Sequence, residues 1–117
     1  MIRQNTEHGT ITVESNVYRN IAGMAASNCF GVKGMAARSR KDGLIYLLRK
    51  ESANKGVSIT FNEDDTITVD LHVMVGNGVN LNAVGNAIID EVRYMVQTCT
   101  GTEVRAVNVY IDSMMID

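Results

Sequence analysis

Ten residues near the middle of the chain, Thr66 to Val75, restrict its fold more than any other stretch. Ile67, Val69, Leu71, Val73 and Val75 alternate without a break with Thr66, Thr68, Asp70, His72 and Met74. Successive side chains of a strand point to opposite faces, so this pattern predicts a strand with one face on a core and one in water. Upstream, Val57, Ile59 and Phe61 alternate with Ser58 and Thr60, and the polar run Asn62-Glu63-Asp64-Asp65 joins the two as a β-hairpin. A hairpin with one apolar face is stable only when another layer covers that face.

Helical periodicity supplies that layer. Asn80 can cap a helix over about 81–99, with Leu81, Val84, Ile88, Val92, Met95, Val96 and Cys99 along one side. Ser15 can cap an earlier helix whose apolar face is Val17, Ile21, Met24 and Ala25, ending near Asn28. Asp42 can cap a shorter one from Gly43 to about Ser52, with the stripe Leu44, Leu47 and Leu48. Gly9–Val13, Val32–Ser39 and Val104–Ile111 read as further strands. In the last of these the apolar phase shifts near Ala106-Val107, as a bulge would cause. The expected fold class is therefore α+β, a small mixed β-sheet with helices packed on one face, in the order β-α-β-α-β-β-α-β. At 117 residues, with no proline and no linker composition, the expectation is a single domain over 1–117.

No run approaches the roughly 20 apolar residues that cross a bilayer, and the first eight residues lack the apolar core of a secretory signal. A cytoplasmic protein is expected, and in that compartment Cys29 and Cys99 read as reduced, largely buried thiols. The net charge of −2 hides an asymmetry. Between Lys33 and Lys55 lie seven basic residues (Lys33, Arg38, Arg40, Lys41, Arg49, Lys50, Lys55) against Asp42 and Glu51. Such a segment on an acidic body steers binding toward an anionic partner; the same residues also fit an ordinary solvated surface. Lys33, Arg38, Arg40, Lys41, Arg49 and Lys50 are the candidate partner-binding residues.

Catalytic signatures are missing: no dinucleotide or phosphate loop, no nucleophile elbow and no zinc-protease helix. Neither His8 nor His72 has a neighbouring His, Cys or acid at metal-ligand spacing, and Asp90 and Glu91 point about 100° apart on a helix. No catalytic residue, cofactor or metal is expected. Glu63, Asp64 and Asp65 lack the ligand pattern of a calcium loop and read as a solvated hairpin tip. Gly31-Val32-Lys33-Gly34 matches the Gly-x-x-Gly clamp of KH domains, in which glycines admit a nucleic-acid backbone. That clamp belongs between two helices, whereas strand is expected after it here, and aromatics for base stacking are few. A KH-like nucleic-acid binder stays the alternative reading, with nucleic acid not the favoured partner.

A set of ordered motifs adds a resemblance. Gly9-Thr10-Ile11-Thr12-Val13, Ile21-Ala22-Gly23-Met24-Ala25-Ala26 and Gly31-Val32-Lys33-Gly34-Met35-Ala36 are followed by Lys55-Gly56-Val57 and Ile67-Thr68-Val69-Asp70-Leu71-His72-Val73. Gly101-Thr102-Glu103-Val104 and Val107-Asn108-Val109-Tyr110-Ile111 complete the series. Together they resemble the alkaline shock protein family, also called the Gls-type general-stress or envelope stress response family. Lys41-Asp42-Gly43-Leu44 and Leu48-Arg49-Lys50-Glu51 are similar to its short YloU-like branch. A Gln common in the family's long helix has no counterpart near Gly85-Asn86-Ala87-Ile88.

The resemblance implies a bacterial, non-enzymatic interaction or scaffold protein acting in cell-envelope homeostasis and general stress. It further implies protein partners, either membrane-anchored or dihydroxyacetone-kinase-like, and self-association as a homo-oligomer. A second implied role is regulatory subunit of a fatty-acid-kinase-type enzyme.

Overall fold

In a computed structural model that describes residues 1–39, 41 and 43–115, the alternating stretch is the hub of the sheet. The strands are β1 (Ile2–Thr6), β2 (Gly9–Val13), β3 (Val32–Arg38), β4 (Ile45–Leu47), β5 (Val57–Phe61), β6 (Ile67–Gly76) and β7 (Val104–Met115). The helices are α1 (Ser15–Ser27), α2 (Leu81–Thr100) and a 3₁₀ helix, Lys50–Gly56. One edge of β6 pairs in parallel with β7 along its whole length, from Ile67↔Val104 to Gly76↔Met115. The other edge is shared: β5 takes the first half (Phe61↔Ile67 to Val57↔Leu71) and β3 the second (Met35↔Val73 to Val32↔Val75), both antiparallel. Gly56 sits at the handover. A Cβ there would lie 3.0 Å from the Ala36 carbonyl oxygen and 3.2 Å from that of His72, so only glycine fits without displacing backbone.

The five inward side chains of β6 are fully buried, each worth about 1.5–3 kcal/mol of apolar burial. Val84, Ile88, Val92 and Val96 of α2 join them in one core cluster with Tyr18, Ala22, Ala25 and Ala26 of α1. The expected cap of α2 is present, with Asn80 Oδ1 accepting from the Ala83 amide at 3.0 Å, and Gly101 ends the helix at φ 73°. The hairpin β5–β6, the long helix and the α+β class agree with expectation.

Three local expectations are corrected and a fourth is extended. First, residues 45–47 form β4, not part of a second α-helix. The stripe Leu44, Leu47, Leu48 mimics helical spacing, but Ile45 and Tyr46 suit a strand, and Ala36↔Leu47 to Arg38↔Ile45 satisfy their backbone. Helical structure begins only at Lys50, as a 3₁₀ turn; the proposed cap Asp42 lies outside the described residues. Second, α1 is rotated about one residue from its expected face. Tyr18, Ala22, Ala25 and Ala26 are buried, while Val17 and Met24 are 44% and 62% exposed. Close approach to the 3₁₀ helix selects the small side: a Cβ on Gly23 would stand 3.1 Å from the Ala53 carbonyl oxygen. Glu14, rather than Ser15, holds the cap position, without a side-chain cap bond.

Third, β1 has no counterpart among the expected strands. Its polar residues pair with β2 in a two-stranded hairpin apart from the main sheet (Ile2↔Val13 to Thr6↔Gly9). A mostly exposed ribbon leaves no burial pattern to read. Fourth, the register of β7 slips twice, leaving Arg105 and Asp112 as the extra residues. The first slip lies beside the predicted position; the second is invisible in the apolar pattern.

Candidate functional site

The rotation of α1 creates the main concavity. Asn20, Met24, Ser27 and Asn28 of its outward side face Lys50, Glu51, Ala53 and Asn54 across a cleft of about 550 Å³. A second hollow of about 250 Å³ shares Ser27, Asn28, Lys50 and Ala53 with it and extends to Lys33, Gly34 and Leu48. The two make one groove. The Met24 side chain gives it an apolar wall, and the amides of Asn20, Asn28 and Asn54 offer both donors and acceptors. Ser27 Oγ is already engaged, donating to the Gly23 carbonyl at 2.7 Å. Lys33 and Lys50 are both among the residues that line the second hollow, and Glu51 is the one acidic residue lining either.

The candidate basic residues are thus divided by the fold. Lys33 and Lys50 meet on the groove, and Arg49 precedes the 3₁₀ helix beside them. Arg38 and Lys41 stand at the far end of the β3–β4 hairpin, where Arg38 Nη1 donates to the Gly43 carbonyl at 2.7 Å and holds the turn. Arg40 lies outside the described residues. Periodicity alone assigns Met24 to the core, and the polar walls Asn20, Asn28 and Asn54 carry no motif. The available signal is that both Met24 and Val17 lie off the Ala-rich side of α1.

Gly31-Val32-Lys33-Gly34 runs from the end of α1 directly into β3. The helix that a KH clamp needs after the loop is replaced by a strand, and the geometry does not support that reading.

His72 does lie on the open face of the sheet, as the alternation predicts, but with company the sequence does not reveal. Its Nδ1 is 2.9 Å from Asp112 Oδ2, and its ring stacks on Tyr110 with centroids 4.8 Å apart and planes 14° from parallel. The second slip in β7 leaves Asp112 free to reach across to the neighbouring strand. Beside them Asn108 Nδ2 donates to Asp70 Oδ1 at 2.8 Å. These are cross-strand pairs of the kind that add roughly 0.2–1 kcal/mol each to a sheet. Among the described residues no group of three or more His, Cys, Asp or Glu is placed to hold a metal ion.

The cysteines also differ from expectation. Both are free thiols, but Cys99 is exposed and Cys29 only half-buried. Burial, with Glu91 nearby, pushes the Cys29 thiol above its ordinary range. No helix among the described residues is long and apolar enough to cross a membrane.

Over almost its whole length the chain is similar to proteins of Bacillus and Streptococcus. It is 33% identical over 116 residues to the uncharacterised protein YloU of Bacillus subtilis (strain 168), covering 98% of this chain and 96% of that one. Against the uncharacterised protein Spy1614 of Streptococcus pyogenes serotype M6 the identity is again 33% over 116 residues, covering 98% and 95%. YqhY of Bacillus subtilis is 27% identical over 117 residues, covering 100% and 85%. No solved structure matches. The model of the alkaline shock protein family, described as having a cell envelope-related function, matches residues 3–116, and the chain belongs to that family.

Proposed function

We propose that this chain is a non-enzymatic interaction protein of the cell envelope-related alkaline shock family, and that it binds an acidic protein partner in the α1–3₁₀ groove. The observation that supports this most is the convergence of Lys33 and Lys50, from separate elements, on one groove that also offers an exposed methionine and three amides. Charges around a concave, partly apolar wall raise the local concentration of an oppositely charged partner, while the apolar floor slows its departure. Arg49 extends the same rim; Arg38 and Lys41 reach it only if the partner spans the hairpin. The partner's role in envelope homeostasis and stress is part of this reading.

The test is affinity purification of the full chain from its native cell, read by mass spectrometry, with a Lys33→Glu/Lys50→Glu variant in parallel. Reversing both charges should lower recovery of the wild-type partner about tenfold or more, with the far-ultraviolet circular dichroism unchanged. An Arg38→Glu/Lys41→Glu variant should lower it less. Equal recovery by wild type and the Lys33/Lys50 variant refutes the groove assignment.

A further inference from the structure

The outer edge of the sheet is unusually long for one left open. Among the described residues β7 pairs with no strand but β6, and its outer edge is open between its two ends, where the Val104 amide donates to Gln97 Oε1 and the Met115 carbonyl accepts from the Asn77 amide. Edge strands are commonly blunted by bulges, and β7 has two, at Arg105 and Asp112. Between them Ala106–Ile111 runs in regular register. Along this edge lies a hollow of about 270 Å³ whose apolar lining is Leu81 and Ile89 of α2 with Val109 and Ile111 of β7. Leu81 is 43% exposed, and the other three are only half-buried although they face the core side.

Gly85 lies in the same hollow. Glycine inside a helix is destabilising relative to alanine, and apart from the adjoining backbone of α2 nothing in the described chain comes within 4 Å of where its Cβ would be. Packing within this chain therefore gives no reason for a glycine there. A close approach from outside would.

We propose that β7 pairs antiparallel with β7 of a second copy about a twofold axis through Val109, continuing the sheet across both molecules. The charge pattern selects this occupant and this direction. Arg105 and Asp112 are the only charged residues of β7 and lie toward opposite ends. Parallel pairing in register would set Arg105 beside Arg105 and Asp112 beside Asp112. Antiparallel pairing about Val109 sets Arg105 opposite Ser113 and next to Asp112 of the other copy. The faces also match: on the core side Val107 meets Ile111 and Val109 meets Val109, and on the open side Asn108 meets Tyr110. Shifting the axis to Asn108 would put Arg105 opposite Ile111. In the register centred on Val109, each α2 lies along its counterpart with Gly85 as the notch between them. A two-fold interface of this kind is self-complementary by construction.

The experiment uses the full chain carrying Cys29→Ser and Cys99→Ser, with and without Val109→Cys. Directly opposite residues of an antiparallel pair have Cα atoms about 4.5–5.5 Å apart, within disulfide reach. Mild oxidation should convert the Val109→Cys protein to a covalent dimer, while a Tyr46→Cys control on the β3–β4 hairpin stays monomeric. In sedimentation equilibrium the chain without Val109→Cys should dimerise, and Gly85→Arg should weaken association at least tenfold while retaining the helical signal. Lys33→Glu/Lys50→Glu, in the other groove, should leave it unchanged, which keeps this test separate from that of the proposed partner site. A monomeric mass up to about 200 μM, a dimer that does not cross-link through the Val109→Cys variant, or association indifferent to Gly85→Arg overturns the proposal.

Discussion

Tyr18 and Thr102 offer a direct test of how the two ends of the fold are tied. The Tyr18 hydroxyl and Thr102 Oγ1 are 2.6 Å apart, joining the start of α1 to the loop between α2 and β7. Tyr18 is fully buried and Thr102 is 4% exposed, so water cannot readily replace either partner. Tyr18→Phe removes one oxygen and keeps the ring, including its edge contact with Phe61 at 5.9 Å. The Thr102 hydroxyl is then stranded, because the neighbouring Thr100 hydroxyl is already donating to the Val96 carbonyl at 2.6 Å. Leaving one buried group without its partner costs about 1–3 kcal/mol, and Thr102→Val should cost about the same from the other side. Removing both oxygens leaves nothing stranded, so the double variant should lie within about 1 kcal/mol of wild type. Urea unfolding of the four proteins closes the cycle, with a coupling energy of about 1–3 kcal/mol expected. If the double variant loses the sum of the two single losses, the hydroxyls do not act as a pair and the reasoning fails.

Two further outcomes follow from the thiols and the hairpin tip. Near neutral pH a thiol reagent should modify exposed Cys99 before Cys29, by about tenfold or more, since burial holds the Cys29 thiol in its protonated form; equal rates by peptide mapping would contradict this. At the tip, the Thr66 hydroxyl donates to Asp64 Oδ1 at 2.6 Å and holds the Asp64 carboxyl below its ordinary range. A depressed carboxylate stabilises the fold above its unfolded pKa of about 4, and that contribution is lost as pH falls through the lower folded value. Thr66→Ala should move the Asp64 titration, followed by carboxyl NMR, back up toward the ordinary value; no movement would assign the shift to another cause.

Part of the candidate site was legible in advance. The charge asymmetry points to Lys33 and Lys50, which the fold does bring together, but also to Arg38, which it uses to hold a hairpin turn. Charge along a sequence gives no direction in space, so a basic run can be divided between two surfaces. The ordered motifs that carry the family resemblance lie mainly on elements the structure bears out, β2, β3, β6 and β7, and the family match extends over 3–116. The groove walls stayed hidden because asparagine has no local signature of a binding surface and Met24 fits an apolar helix stripe.

By itself the sequence determined the long elements. β6 buries one complete face, and α2 the stripe Val84, Ile88, Val92 and Val96, against the same core, so their periods of two and about 3.6 residues are written into the chain. Tertiary structure decided what happens where burial is partial. β4 became a strand because β3 was there to pair with it, and α1 turned its alanines inward because the Ala53 backbone comes so close. The pairing of His72 with Asp112 needed two strands forty residues apart in sequence and a slip in their register. A short or half-covered segment gains too little from burial to enforce its own periodicity, so a distant neighbour sets its conformation and its outward face.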